Sequence, residues 1–348
     1  MYSFGIPAQT FRRDFVTGAV LFYVQHLLGI GHLQRALTLA DAITREGIGV
    51  TLVLGGQPPP WPVSVSVERL VQLAPISARD ASFKELVGPD GRPIDQQLQN
   101  TRRAALLDTF DAARPDVVLI EAFPFGRRAF RFELEPLLEA ARSRCPRPLI
   151  LCSVRDIVVV PDDAARHRDI VERVLADFDF VLVHGDPDFI PLEVSFPAAS
   201  KIAERLIYTG YISPPDRSNA KGDAVGENEV LVSVGGGAVG AALLTTALET
   251  RRRGCLSDLT WRLLAGPNLA AETFGRLAGS LPAGVILERY RREFPQMLRR
   301  CRVSVSQAGY NTILNILAAI AIMVMLLVAT IQLQGSINGL ANAAGPRR

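Results

Sequence analysis

The sequence predicts an α/β protein of two Rossmann-like, doubly wound domains facing each other across a cleft. Three observations predict it. A chain of 348 residues exceeds what one hydrophobic core ordinarily serves, so two domains are expected. Short, continuously apolar segments bounded by Gly, Pro or Asp recur along it, which marks strands buried on both faces of a parallel sheet. Finally, one stretch without large apolar side chains, "SPPDRSNAKGDAVGEN" at 213–228, reads as a linker, and the same alternation restarts after it.

The elements follow in order. Residues 1–18 are read as an N-terminal extension. Arg12-Arg13 there precedes the first strand rather than an export signal. The first domain, 19–212, carries the strands "AVLFYV", "GVTLVL", "PDVVLIEAF", "PLILCSV", "FDFVLVHG" and "RLIYTGYI". Helical patterns "FELEPLLEAARSR" and "RDIVERVLADF" lie between them. The second domain, 229–348, carries "EVLVSV", "TWRLLAGP", "GVILERY" and "RVSVSQAG". An apolar run from Ile316 to Ala329 follows. It falls short of the roughly 20 residues that span a bilayer, so a buried helix-plus-strand packed on the second sheet is expected, with a bilayer anchor and a disturbed reading frame or non-native tail as the alternatives.

Composition narrows the function classes. A hydrophobic content of 48% and a mean hydropathy of +0.20 suit a densely packed α/β protein. A net charge of +3 is too small for nucleic acid but suits phosphorylated ligands or peripheral contact with an anionic membrane face. Cysteines 145, 152, 255 and 301 lack metal spacing and read as reduced packing residues of a cytoplasmic protein.

Three strand-to-helix turns carry the chemistry. In "YVQHLLGIGHLQRALTLADAI", Gly29 and Gly31 make the turn and His32 opens the helix. Glycines permit the tight reversal, and the helix start offers free N–H groups to an anion. In "LVSVGGGAVGAALL", Gly235, Gly236 and Gly237 expose consecutive amides suited to a diphosphate. The lysine and hydroxyl of a P-loop are absent. In "VSVSQAGYNTILNIL", Gln307, Gly309, Asn311 and Thr312 stand before the next helix, where Asn and Thr also serve as caps. No His/Asp cluster has metal spacing. "HGDPD" at 184–188 is the nearest approach.

Taken together, "GIGHLQRALTLA", "SVGGG" and "SQAGYNT" resemble the GT-B glycosyltransferases of the glycosyltransferase 28 group. "EAFPFGRRAFRFEL", "CSVRDI", "LVHGDPDFIPL" and "YTGYI" are similar to a bacterial branch of predicted glycosyltransferases. The resemblance spans about residues 19 to 319. It implies that the second domain grips a nucleotide-sugar, of UDP type, while the first receives a glycan, lipid or small-molecule acceptor. It places Gly29, Gly31, Gly235, Gly236, Gly237, Gln307, Gly309, Asn311 and Thr312 around the donor. Arg289 and Tyr290 then flank the nucleobase, and Asn315 stands where relatives often hold a carboxylate on the ribose. His32 becomes the base that takes the acceptor proton, or a cation on the phosphate. Asp156 ends a strand on the cleft, serving catalysis, the acceptor or a salt bridge. Arg127 and Arg128 meet an anionic acceptor or lie solvated. The expected reaction is an inverting transfer without a metal or other cofactor. A nucleotide-sugar 2-epimerase and a non-catalytic nucleotide binder are the alternatives. After Ala319 the resemblance stops and the usual donor-sugar motif is missing. The second domain therefore reads as incomplete or truncated, and weak donor binding with poor transfer is expected.

Overall fold

A computed structural model describes residues 18–28, 30–59, 63, 65–80, 83, 85–160, 163–212, 226–236, 240–254, 256–291, 293–306, 312 and 323–325. The chain divides into two compact units, Met1–Pro215 and Asp216–Arg348.

In unit 1 the order is β1 (Ala19–Val24), α1 (Gly31–Arg45), β2 (Gly49–Leu54), β3 (Arg69–Gln72), β4 (Ser77–Ala78), β5 (Leu86–Val87), α2 (Gln96–Ala113), β6 (Val117–Glu121), α3 (Arg131–Ser143), β7 (Leu149–Arg155), α4 (Ala164–Asp177), β8 (Phe180–His184) and β9 (Leu206–Tyr208). Seven strands form one parallel sheet in the order β3-β2-β1-β6-β7-β8-β9. β4 and β5 pair antiparallel as a separate ribbon. Alternate side chains of β1 bury on opposite faces. Leu21 and Tyr23 join a core with residues of α2, α3 and α4, while Val20, Phe22 and Val24 pack with Leu33, Ala36 and Ala40 of α1. Helices thus cover both faces, the reason the strands read as unbroken apolar runs.

Two elements leave weaker traces in the sequence. β3 is a largely exposed edge strand. α2 starts at Asp95, whose carboxylate accepts the Leu98 amide at 2.8 Å. It buries Arg102, whose Nη2 meets Glu133 Oε1 at 2.6 Å with neither side chain exposed. Arg102 also donates to the Gly55 and Ala74 carbonyls and to Gln25 Oε1, and the Tyr23 hydroxyl donates to Glu133. The buried charges are therefore hydrogen-bonded on every side, the condition under which such a pair is tolerated.

Unit 2 runs β10 (Glu229–Ser233), α5 (Ala241–Arg252), β11 (Thr260–Leu264), α6 (Ala271–Ala278), β12 (Val285–Glu288), α7 (Phe294–Arg300), β13 (Val303–Ser306) and β14 (Met323–Met325). Its parallel sheet has the order β12-β11-β10-β13-β14. β14 comes from the apolar run: Met323 to Met325 pair in register with Ser304 to Ser306. Among the described residues no helix is long and apolar enough to cross a membrane. The expected helix within that run, and residues 213–225 of the linker, lie outside the described residues.

Both sheets are doubly wound. Strand order reverses between β1 and β6 in unit 1 and between β10 and β13 in unit 2. Open α/β sheets bind ligands at such switch points, beyond the carboxyl ends of the strands.

Candidate functional site

The switch point of unit 1 holds a buried hydrogen-bond chain. α1 opens at Gly31 without a side-chain cap, which places His32 beyond the end of β1. Glu121 ends β6, next to β1 in the sheet. His32 Nδ1 lies 2.8 Å from Glu121 Oε1. Arg35, one helical turn after His32, donates Nη2 to the same oxygen. Ser153, paired with Glu121 across β6 and β7, donates Oγ to Oε2 at 2.5 Å. His184, ending β8, reaches Ser153 Oγ through Nε2 at 2.9 Å and Thr209 Oγ1 through Nδ1 at 2.8 Å. The Ser153 proton is committed to Glu121, so His184 Nε2–H donates to Ser153 and Thr209 donates to Nδ1.

Glu121 is fully buried. Burial alone would raise its carboxyl pKa, but the Arg35 cation and the His32 and Ser153 hydrogen bonds outweigh it and hold the group well below the usual carboxylate range. Facing an ionised carboxylate, His32 Nδ1 carries hydrogen. Arg35 Nη2, 3.3 Å from Nδ1, is a second donor sharing that acceptor. The tautomer leaves the lone pair on Nε2. Burial pushes the His32 pKa down to about 4 against the raising effect of the Glu121 hydrogen bond, and nearby Arg127 lowers it further. Burial likewise brings His184 to about 4, with Arg35 acting in the same direction. His32 is thus a neutral imidazole at pH 7, oriented by an anion. The group that could accept a proton there is Nε2.

His32 and Arg35 line a pocket of about 110 Å³ together with Ala122, Phe125, Gly126, Arg127, Val154, Arg155, Val158 and Val159. Arg127 Nε donates to the Gln25 carbonyl at 2.5 Å. Ala122 and Arg127 both hold left-handed backbone, φ 66° and 60°, a conformation non-glycine residues adopt at a cost of order 1–3 kcal/mol, concentrated at functional sites. Arg128 is exposed and does not line this pocket. Asp156 does not line it either. Its buried carboxylate accepts the Ile157 amide at 2.8 Å and the Tyr211 hydroxyl. His184 serves Ser153 and Thr209, and among the described residues no group of three or more His, Cys, Asp or Glu could hold a metal.

In unit 2 the turn after β10 carries Gly235 at φ +58°, open to space on its Cβ side, and Gly236, whose carbonyl accepts the Asn268 amide at 3.0 Å. A side chain is strained at Gly235 whatever the room. Arg289 Nη1 donates to the Leu269 carbonyl at 2.8 Å and its guanidinium stacks 4.4 Å from the Phe274 ring. The side chain therefore braces the loop after β11, while Tyr290 beside it is 40% exposed. Thr312 is helical. Gly29, Gly237, Gln307, Gly309, Asn311 and Asn315 lie outside the described residues.

The sequence reading passed over Glu121, Arg35, Ser153 and His184 as partners of His32. A signal existed for one of them: Glu121 ends the apolar run "DVVLIE", where a charge needs a partner once buried.

No protein-family model and no curated protein matches the sequence. Solved structures do match in shape. The calicheamicin glycosyltransferase superposes with a TM-score of 0.54 at 16% identity, covering 89% of this chain and 80% of that one. The glycosyltransferase of kitacinnamycin gives 0.51 at 17% identity, covering 88% and 80%. A Listeria monocytogenes protein assigned as a UDP-N-acetylglucosamine 2-epimerase gives 0.53 at 10% identity, covering 84% and 75%. The likeness is one of fold: the chain has the paired Rossmann-like α/β units of GT-B glycosyltransferases.

Proposed function

We propose that this protein transfers a glycosyl group from a nucleotide-sugar, of UDP type, to a hydroxyl acceptor bound on unit 1. The observation that carries the reading is the His32–Glu121 pair, at 2.8 Å, at the switch point of unit 1. A neutral imidazole that lines a pocket, holds Nδ1–H on a buried carboxylate and keeps its lone pair on Nε2 is built to receive one proton.

In this reading the acceptor hydroxyl meets His32 Nε2. Its oxygen forms the bond to the anomeric carbon as its proton passes to Nε2. The bond from that carbon to the diphosphate oxygen breaks with its electron pair leaving on the diphosphate. Attack opposite the leaving group inverts the anomeric centre. Glu121 stabilises the imidazolium that forms, as the carboxylate of a triad does for its histidine. The amides at Gly235, Gly236 and Gly237, with the segment from Gln307 to Thr312, take up the charge on the diphosphate, so the step draws on no metal. Arg289, Tyr290 and Asn315 lie along the nucleoside in the same scheme, and Asp156 supports the acceptor side through Tyr211.

The test is release of UDP and appearance of glycoside from UDP-sugars and hydroxylated acceptors, with His32→Ala beside the parent chain. Loss of base catalysis should lower turnover by about 10²–10⁴-fold with UDP affinity unchanged. Retained turnover, or UDP affinity lost in proportion, refutes the assignment. The shared fold with the 2-epimerase supports a second reading, in which the sugar returns on UDP inverted at C2 with no acceptor present. Incubation without acceptor separates the two.

A further inference from the structure

Three arginines, Arg35, Arg127 and Arg155, line the pocket beside His32. Arg127 is half-buried there, and among the described residues no carboxylate lies within ion-pair distance of it. Glu121, whose field reaches Arg127, is already engaged: it gives Oε1 to Arg35 and His32 and Oε2 to Ser153. Burial lowers the Arg127 pKa against the opposing fields of Glu121 and Tyr23, and the Arg35 and Arg155 charges push the same way as burial. Arg35, which also lines the pocket, has a buried Nε without a hydrogen-bond partner among the described residues. A desolvated guanidinium with no counter-ion is costly and is relieved by an oxyanion, which it grips in a planar fork. Phe125, Val154 and Val158 supply apolar lining, Val159, 60% exposed, opens toward solvent, and Arg155 adds a further positive charge. The volume of about 110 Å³ is below the about 150 Å³ of a cavity that admits benzene, so it takes the oxyanion and the near edge of a small ring, the remainder lying toward solvent.

We propose that this pocket selects an acceptor whose hydroxyl is borne on a small apolar ring or chain together with a carboxylate or phosphate, and that Arg127 holds that oxyanion. The proposal rests on the glycosyl-transfer reading for the word acceptor, while the pocket's choice of an anion stands on binding alone. Arg127 is then the specificity determinant and His32 the base within the same pocket. The left-handed backbone at Ala122 and Arg127 is the local cost of presenting that guanidinium to the pocket.

The probes are 4-hydroxybenzoate, 4-hydroxyphenylphosphonate and the neutral 4-hydroxybenzamide, measured by calorimetry and by the shift of the His32 ring resonances. The acid and the phosphonate should bind the parent chain about 10- to 100-fold more tightly than the amide, the worth of a charge-assisted hydrogen-bonded pair. The tighter of the two identifies the oxyanion. Arg127→Gln should abolish the difference, Arg127→Lys should restore part of it, and His32→Ala should leave it intact. Equal affinity of acid, phosphonate and amide for the parent chain overturns the proposal, whether or not Arg127→Gln folds. So does a preference that survives in folded Arg127→Gln. An Arg127-dependent preference without any glycosyl transfer upholds the anion pocket and retires the transfer reading. Transfer to neutral phenols bound as well as the acid does the reverse.

Discussion

Replacing Glu121 by glutamine tests the central pair with little change of shape. Its carboxylate accepts from three donors, Arg35 Nη2, His32 Nδ1 and Ser153 Oγ. A glutamine can aim its oxygen at His32 and Arg35 and its amide at Ser153, whose hydroxyl then turns its proton toward His184 Nε2, 2.9 Å away, as His184 moves its hydrogen to Nδ1 and donates to Thr209. Hydrogen bonds survive in that arrangement, but the charge does not. Glu121 has no exposed side-chain surface and Arg35 has only 4%, so the arginine is left as a buried, uncompensated cation. Removing one partner of such a pair costs about 3–5 kcal/mol of stability. His32 loses the anion that stabilises its imidazolium, and turnover should fall by about 10²–10⁴-fold, the share of a working general base. Urea unfolding gives the first quantity, steady-state UDP release the second, and nitrogen NMR of the imidazole reports which ring nitrogen carries hydrogen. A stability loss under about 1 kcal/mol refutes the buried-pair argument. Turnover within about twofold of the parent chain refutes the role assigned to Glu121.

Elsewhere in unit 1, Arg102→Leu leaves Glu133 buried beside Tyr23 without its cation, and unfolding should come about 3–5 kcal/mol more easily. A double substitution, Arg102→Leu with Glu133→Leu, should recover part of that loss; no recovery would show that the cluster matters through packing rather than charge. Acidification tests the histidines. Burial lowers His26, and brings His32 and His184 to about 4, against 6.5 for the free imidazole. The unfolded chain therefore binds protons below about pH 6.5 that the folded chain refuses, so stability must fall as pH drops from 6.5 toward 4. Between pH 7 and 5, His32 and His184 account for about 2 kcal/mol each, with the His32 share reduced by its 30% exposed side chain. Denaturant midpoints that stay level or rise across that interval contradict the burial of neutral imidazoles. Turnover limited by His32 should hold down to about pH 5 in the same series.

Much of the architecture was legible because continuous apolarity reports burial on both faces, and burial is a local property of a strand. All ten apolar bursts quoted from the sequence contain strands of the two sheets. Glycines after β1 and β10 marked the turns at the switch points, and His32 stood out as a proton-handling side chain at such a turn. β3 escaped because an exposed edge strand shows no apolar run. α2 escaped because a buried arginine breaks its apolar stripe.

The partners of His32 belong to the tertiary structure alone. Glu121 lies 89 residues from it in sequence. Whether they meet depends on β6 rather than β2 following β1 on that side of the sheet. That order is set by how the crossover helices pack, and no local pattern encodes it. The same holds for Arg127 and Arg128, adjacent and alike in sequence, of which one lines the pocket and the other faces solvent because the backbone between Ala122 and Arg127 turns through left-handed conformations. Sequence by itself determined which segments are buried and which residues can carry charge or protons. The three-dimensional order of the strands decided which of those residues share a dielectric, and therefore which carboxylate stays ionised, which histidine stays neutral and which arginine is left to find its anion elsewhere.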